Sequence, residues 1–229
     1  SLIGSIVLSY YAPLTAIYII ILFDLYWLIK ALYWLVYLFG SYKKYRRDTK
    51  IDWFKTLNKE NPISKDGANS RWEDIHHLVF LPTYKESFEV LDTTFKALVE
   101  SSYPTDKMMI ALGVEEWDKE NGLKITNKIK EKYGDKFYKL WITVHPKDLP
   151  GEQRGKGSNN VFAAKNAQKE IDILNIPYDK IIVSTFDIDT IVHKEYFSHL
   201  TYKFLTHATP HKTSYQPVAL FNNNVWQSN

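Results

Sequence analysis

The chain contains no cysteine, and this absence excludes disulfide bonds, thiolate metal sites and cysteine nucleophiles. A chain without cysteine also fits a reducing compartment. The formal net charge of +3 is small, so there is no basic excess of the kind that favours nucleic acid as a partner. The sequence has neither an internal repeat nor a low-complexity segment.

Three familiar catalytic patterns are absent as well. The Gly-x-Ser-x-Gly elbow of serine hydrolases does not occur. The glycine-rich stretch at residues 150–158 has three residues between Gly151 and Gly155-Lys156, whereas a nucleoside-triphosphatase loop needs four, with Ser or Thr directly after the lysine. The histidines give no zinc pattern, because the one i, i+4 pair, His207 and His211, encloses Pro210.

What the sequence does contain is a long apolar segment near its start. Residues 2–40 carry only two charged side chains, Asp24 and Lys30. The apolar run at residues 12–39 exceeds the roughly 20 residues that span a bilayer, and a soluble helix seldom stays apolar on all faces for so long. Four basic residues follow the run: Lys43, Lys44, Arg46 and Arg47. A signal peptide places its charges first, so this order predicts a transmembrane helix with the following residues in the cytosol.

This composition predicts three regions. Residues 1–40 are the transmembrane segment, and residues 41–74 are a basic juxtamembrane helix and linker. Residues 75–229 are the cytosolic domain, incomplete at its C-terminus. We therefore expect a piece of an integral membrane protein of a bacterial-type inner or plasma membrane, with residues 75–229 in the cytosol.

Strand and helix patterns alternate along the cytosolic part. Strands are predicted at residues 77–81, 108–114, 139–144 and 180–186, and helices at residues 88–100, 123–133, 159–174 and 196–206. Such alternation is typical of an α/β fold in which helices flank a mostly parallel sheet.

The most informative motif is Asp187-x-Asp189, which directly follows the last predicted strand. Ligands of open α/β sheets bind at the C-terminal ends of the strands. Side chains alternate along an extended chain, so both carboxylates would point the same way. Two such oxygen ligands suit Mg²⁺ or Mn²⁺ bridging to phosphates. The alternative for the motif taken alone is an acidic turn.

Three weaker segments accompany this motif. Leu81-Pro82-Thr83-Tyr84-Lys85-Glu86 closes the first strand, where nucleotides commonly bind. Glu115-Glu116-Trp117-Asp118 closes the second strand and offers acceptors to a base or a ribose. A glycine-rich loop with Arg154 and Lys156 leads into a helix and would neutralise a diphosphate there. Each segment, taken singly, also fits a solvated turn or loop.

The order of these pieces, together with Ser214-Tyr215-Gln216-Pro217, resembles the membrane-bound family 2 glycosyltransferases. This group includes the cellulose and hyaluronan synthases and has the GT-A fold. The resemblance covers roughly residues 75–229. It implies an α/β, GT-A-like fold that binds a nucleotide-activated sugar with Mg²⁺ or Mn²⁺.

The resemblance also implies roles for particular residues. Pro82, Thr83, Tyr84 and Glu86 would hold the nucleotide, and Glu116, with Glu115 as the alternative, would contact its base. Lys156 would contact the nucleotide, with Arg154 behind it. Asp187 and Asp189 would hold sugar and metal, with Asp189 as the favoured metal ligand.

The chain departs from the family pattern in three places. Two glutamates replace the aspartates usual after the second strand, and Asn159 and Asn160 lie closer to Lys156 than the family's asparagine does. The family's catalytic base lies in a later acidic motif, followed by Gln-x-x-Arg-Trp. We therefore expect the base beyond Asn229.

The resulting hypothesis is an inverting, metal-dependent glycosyltransferase at the cytosolic membrane face. A nucleotide-sugar donor, with a uridine diphosphate sugar favoured, a glycan or lipid acceptor and the lipid bilayer are the expected partners. Two alternatives stay open, namely a nucleotidyltransferase on a similar sheet and a non-catalytic membrane scaffold that retains the fold.

Overall fold

A computed structural model of the chain describes residues 2–67, 69–152 and 155–218. These residues divide into an N-terminal helical unit, which ends at Ile51, and a larger unit, Asp52–Pro217.

The N-terminal unit consists of two helices, α1 (Leu2–Tyr11) and α2 (Pro13–Asp48). Pro13 occupies the first position of α2, where a missing backbone N–H costs nothing. Among the described residues, α2 is the one helix long and apolar enough to cross a bilayer. Its 36 residues correspond to about 54 Å of helix. The ammonium group of Lys30 has a hydrogen-bond acceptor within the helix, since its Nζ donates to the Tyr26 hydroxyl at 3.0 Å.

The larger unit is built on a four-stranded sheet in which every neighbouring pair is parallel. Its strands are β1 (His76–Thr83), β2 (Met108–Glu115), β3 (Lys139–His145) and β4 (Ile181–Thr185). Their order in space is β3-β2-β1-β4. The two central strands are buried on both faces, which explains their nearly continuous apolar sequences.

Helices cover both faces of this sheet. They are α3 (Trp53–Glu60), α4 (Phe88–Val99), α5 (Lys119–Tyr133), α6 (Lys156–Leu174) and α7 (Tyr196–Thr206). On one face, Ala163, Ala167 and Ile171 of α6 pack on Leu78 and Phe80 of β1. The larger core forms on the other face, where α4, α5 and α7 contribute buried side chains. The predicted fold class, a parallel α/β sheet flanked by helices and preceded by a long apolar helix, is therefore confirmed, and the arrangement is consistent with a GT-A-like fold.

Helix α3, which follows the basic stretch, is part of the larger unit. The indole of Trp53 stacks on the His199 ring of α7, with ring centroids 3.9 Å apart. The buried carboxylate of Glu195 accepts the backbone N–H groups of Trp53 and Phe54 at 3.0 and 3.3 Å. Two of the N–H groups that a helix start leaves without partners are thereby satisfied by a side chain from outside α3.

Candidate functional site

The sequence motifs meet at one edge of the sheet, where the parallel strands end. Neighbouring strands lie about 4.8 Å apart, so the chain segments that leave β2, β1 and β4 stand side by side. Helix α6 begins at this edge, because side chains of its first turn contact residues that follow β4 and residues that end β2.

The acidic pair lies in a turn that directly follows β4. Asp187 and Asp189 are exposed, while Ile188 between them is buried in the main core. The Ile188 carbonyl accepts the Thr94 hydroxyl at 2.5 Å, and the Thr190 N–H closes the turn on the Asp187 carbonyl at 3.0 Å. The turn therefore anchors its middle residue and leaves both carboxylates on the outside.

A cation faces this acidic pair from the first residue of α6. The Lys156 Nζ donates to Asp187 Oδ1 at 2.7 Å, although the two residues are separated in sequence by a strand and a helix. Their side chains are 68% and 62% exposed, so the ion pair contributes little to stability. An exposed lysine and an exposed carboxylate beside a helix N-terminus are well placed to receive a ligand that carries phosphate and metal.

The segment after β1 has one exposed aromatic residue and a constrained backbone. Pro82 and Thr83 are buried, Tyr84 is exposed, and Glu86 is half-buried. Lys85 adopts a left-handed backbone with φ of 59°, a conformation that costs energy for a residue other than glycine. Its N–H donates to Asp118 Oδ2 at 3.0 Å, so an acidic residue from the β2 end holds the shape of this loop.

The two glutamates at the end of β2 differ in their surroundings. The carboxylate of Glu115 is buried and faces inward, where Oε1 accepts from Asn159 Nδ2 at 2.8 Å and Oε2 lies 3.1 Å from His145 Nδ1. Glu116 is half-buried, and its Oε2 accepts the Lys147 N–H at 2.9 Å. Of the two, Glu116 is the more exposed to solvent.

No described group of three or more His, Asp or Glu side chains is arranged to hold a metal ion. Two carboxylates nevertheless fit Mg²⁺ or Mn²⁺, because such ions are commonly bound through one or two carboxylates together with substrate phosphates. Asp187 and Asp189 would be the ligands from this chain, and the metal would supply charge neutralisation for a leaving diphosphate. Arg154, predicted to support Lys156, lies outside the described residues.

Sequence reasoning missed two residues beside this edge, His145 and Glu152. The His145 Nε2 lies 3.0 Å from Glu152 Oε2. The His145 ring packs edge-on against the Phe162 ring, with the ring centroids 5.5 Å apart. A signal for this cluster existed, because Glu115 and His145 are the last residues of adjacent strands. Their pairing in register, however, required the structure of the sheet.

Glu195 is the only acidic residue in the sequence after Asp189, and the structure gives it an internal role. It is buried at the start of α7, where it accepts the Ser102 hydroxyl at 2.9 Å in addition to the two N–H groups of α3. These contacts occupy Glu195 within the fold. We therefore do not assign Glu195 as the catalytic base of the expected reaction.

Comparison with known proteins gives a partial likeness to a solved structure. No protein-family profile matches the chain, and no curated protein matches it. Among solved structures, the chain is similar to the mannosyltransferase PcManGT from Pyrobaculum calidifontis, solved in complex with GDP-Man and Mn²⁺, at 18% identity and a TM-score of 0.41. The match covers 68% of this chain and 39% of that chain. We therefore base the functional proposal on this chain's own residues.

Proposed function

We propose that this chain is the donor-binding part of a glycosyltransferase that uses a nucleotide-activated sugar at the cytosolic face of a membrane. The observation that carries the proposal is the contact between Lys156 and Asp187 at the C-terminal edge of the sheet. A cation and an acidic pair meet there at a helix N-terminus. The sequence pattern that surrounds them resembles that of membrane-bound family 2 glycosyltransferases.

The order of the strand ends suggests how a donor would lie. The nucleoside would sit over the ends of β1 and β2, beside Tyr84, Glu86 and Glu116, with the buried Pro82 and Thr83 forming the floor. The diphosphate would lie toward β4, where Lys156 and the N-terminus of α6 would stabilise its charge. Asp187 and Asp189 would hold a divalent ion against it.

The reaction proposed for the whole protein is a direct displacement. An acceptor hydroxyl oxygen would form a bond to the anomeric carbon while the bond from that carbon to the diphosphate breaks. The hydroxyl proton passes to a general base, and the nucleoside diphosphate leaves. Inversion at the anomeric carbon follows from a single displacement. A uridine diphosphate sugar is our first choice of donor, with a glycan or lipid as acceptor.

The membrane location is proposed from α2. An apolar helix followed by basic residues favours insertion with the basic end in the cytosol. Four basic residues lie in the last two turns of α2, namely Lys43, Lys44, Arg46 and Arg47. Ligands and substrates of the larger unit would then be cytosolic.

This orientation can be tested with a single cysteine, because the natural chain contains none. In Asp179→Cys, which alters an exposed residue away from the candidate site, we expect no reaction with a membrane-impermeant maleimide in intact cells. The same cells should be labelled once their membrane is opened with detergent. Labelling of intact cells would place the larger unit on the outer side and contradict the proposal.

Removal of the Lys156 charge tests the donor site itself. In Lys156→Ala we expect nucleoside diphosphate affinity to fall about tenfold, the scale of one charge-assisted hydrogen bond. The melting temperature should hardly change, because the ion pair is exposed. The measurement is isothermal titration calorimetry of UDP and GDP, each with Mn²⁺, on the full chain in nanodiscs.

The matched control is Lys165→Ala, which removes the same charge from an exposed position on the same helix. It should bind nucleotide like the unaltered chain. Equal losses in both variants would indicate a nonspecific charge effect and count against a site at Lys156. Tight binding of nucleoside triphosphates with no affinity for nucleotide sugars would instead favour a nucleotidyltransferase.

A further inference from the structure

A cluster around a buried histidine joins four chain segments behind the candidate site. His145, the last residue of β3, lies between two carboxylates, with Nδ1 3.1 Å from Glu115 and Nε2 3.0 Å from Glu152. Asn159 of α6 donates to the other oxygen of Glu115 at 2.8 Å. We call these four residues the imidazole bridge. It joins the ends of β2 and β3 to the loop before α6 and to the first turn of α6.

The hydrogen-bonding chemistry of the imidazole bridge favours a charged ring. An ionised carboxylate only accepts hydrogen bonds, whereas a neutral imidazole donates from one nitrogen only. Both contacts of His145 with ionised glutamates are therefore satisfied when both ring nitrogens carry a proton. A neutral ring would leave a nitrogen lone pair facing a carboxylate oxygen, and one of the two contacts would be lost.

The electrostatic surroundings of the His145 ring also favour its charged form. Burial tends to lower the pKa of His145, but the hydrogen bonds and charges of Glu152 and Glu115 outweigh it and raise the pKa above its usual value. Among the described residues, these two carboxylates are the charged groups that act on the ring, while α6 contributes the Asn159 amide and the Phe162 ring. Because the pKa is raised in the folded protein, the contact is fully present below about pH 6.5 and is lost as the pH rises through the folded value.

The imidazole bridge anchors the chain on both sides of Lys156. Glu152 precedes this lysine by one short loop, and Asn159 follows it in the first turn of α6. Asn159 is fully buried and fits against Gly113 of β2, where an added Cβ would lie 2.0 Å from Asn159 Oδ1. The end of this segment that includes Asn159 is therefore fixed by close packing. The end that includes Glu152 is fixed by its contact with the imidazole ring.

We propose that His145, as an imidazolium, is a positioning residue that holds the loop before α6 in place and so keeps Lys156 directed at the diphosphate of the donor. This inference rests on the proposed function, because the proposed function assigns the donor diphosphate as the ligand of Lys156. It predicts that donor binding weakens when the ring loses its charge, although His145 itself does not touch the donor.

The test compares Glu152→Gln with the unaltered full chain in nanodiscs. The amide keeps an acceptor for the ring but removes the negative charge, so the titration midpoint of His145 should fall by about one pH unit or more. NMR of the histidine rings measures this midpoint, with the His145 signal identified by its loss in His145→Gln. The control, Glu170→Gln, makes the same change at an exposed position of α6 and should leave the midpoint unchanged.

The second measurement is the affinity for UDP with Mg²⁺ between about pH 7 and 9.5, where the terminal phosphate stays fully ionised. In the unaltered chain, affinity should fall with the same midpoint as the ring titration. In Glu152→Gln, the affinity at pH values between the two ring midpoints should be about tenfold lower than in the unaltered chain and should recover as the pH is lowered. If Glu152 served only the stability of the fold, Glu152→Gln would instead reduce the affinity for UDP equally at all pH values.

Two results would overturn the inference. One is a ring that titrates while the affinity for UDP stays constant, and the other is a loss of affinity in Glu152→Gln that does not depend on pH. If the unaltered chain binds no nucleotide at any pH, the proposed function fails, and the backbone amide signals of Gly151 and Gly155 then report on the loop directly. Those signals should shift with the midpoint of His145, and signals that stay constant would refute the positioning role by themselves.

Discussion

Asp189→Asn is expected to lower the affinity for a nucleoside diphosphate in the presence of Mn²⁺ by on the order of a hundredfold. A metal ion that neutralises phosphate charge contributes several kcal/mol, and each 1.4 kcal/mol corresponds to about a tenfold change in affinity. The same loss is expected for Asp187→Asn. Calorimetry with Mn²⁺, with Mg²⁺ and with a chelator measures the effect, and Asp179→Asn, at an exposed position outside the site, is the matched control.

Asp187→Asn should have the opposite effect when a chelator removes the metal. In the structure the Asp187 carboxylate engages Lys156 at 2.7 Å, and without metal it would repel a diphosphate. The amide removes that repulsion and releases the lysine, so metal-free affinity should rise above that of the unaltered chain. The variant would thus bind more weakly with metal and more strongly without it. Equal behaviour of the variant and the unaltered chain under both conditions would refute the assignment of Asp187.

Glu195→Ala is expected to lower the free energy of unfolding by about 3 kcal/mol. The change leaves two backbone N–H groups of α3 and the Ser102 hydroxyl without their acceptor, and each buried donor left unsatisfied costs about 1–3 kcal/mol. For a chain of this size, such a loss corresponds to a melting temperature lower by roughly 10 °C. Thermal unfolding followed by circular dichroism measures it.

The variant Glu195→Gln distinguishes a structural role of Glu195 from a catalytic one. Its amide oxygen still accepts hydrogen bonds, so we expect less than half of the destabilisation seen with alanine. Glu131→Ala, at an exposed position of α5, should leave the melting temperature unchanged. A glutamine variant that melts normally but has lost sugar transfer in the whole protein would make Glu195 a catalytic group and contradict the structural role.

The strands and helices of the larger unit could be predicted because their apolar residues follow clear periods. Helix α7 has the predicted bounds, Tyr196–Thr206. Helix α6 begins three residues earlier than predicted, because the polar first turn at Lys156 gives no apolar signal. Helix α2 continues through the basic stretch to Asp48, since lysine and arginine are good helix formers and no proline interrupts them.

The general location of the candidate site also followed from sequence, since motifs that end parallel strands must lie at one edge. Which side chains meet there could not be predicted. The contact between Lys156 and Asp187 depends on where α6 packs across the sheet. The contact between Glu115 and His145 depends on the register of β2 with β3. Both arise from tertiary packing, which no local period of the sequence encodes.

The order of the strands has a consequence for how the chain is made. β1 lies in the interior of the sheet, but its partner β4 is about a hundred residues away in sequence, so this pairing forms slowly and late. During synthesis β1 emerges with an apolar sequence and one side that has no strand beside it. Such an edge can pair with other nascent chains. We therefore expect the yield of folded protein to depend on expression level and growth temperature, with low-level expression in the cold keeping nascent chains dilute and their apolar association weak while β4 is still being made.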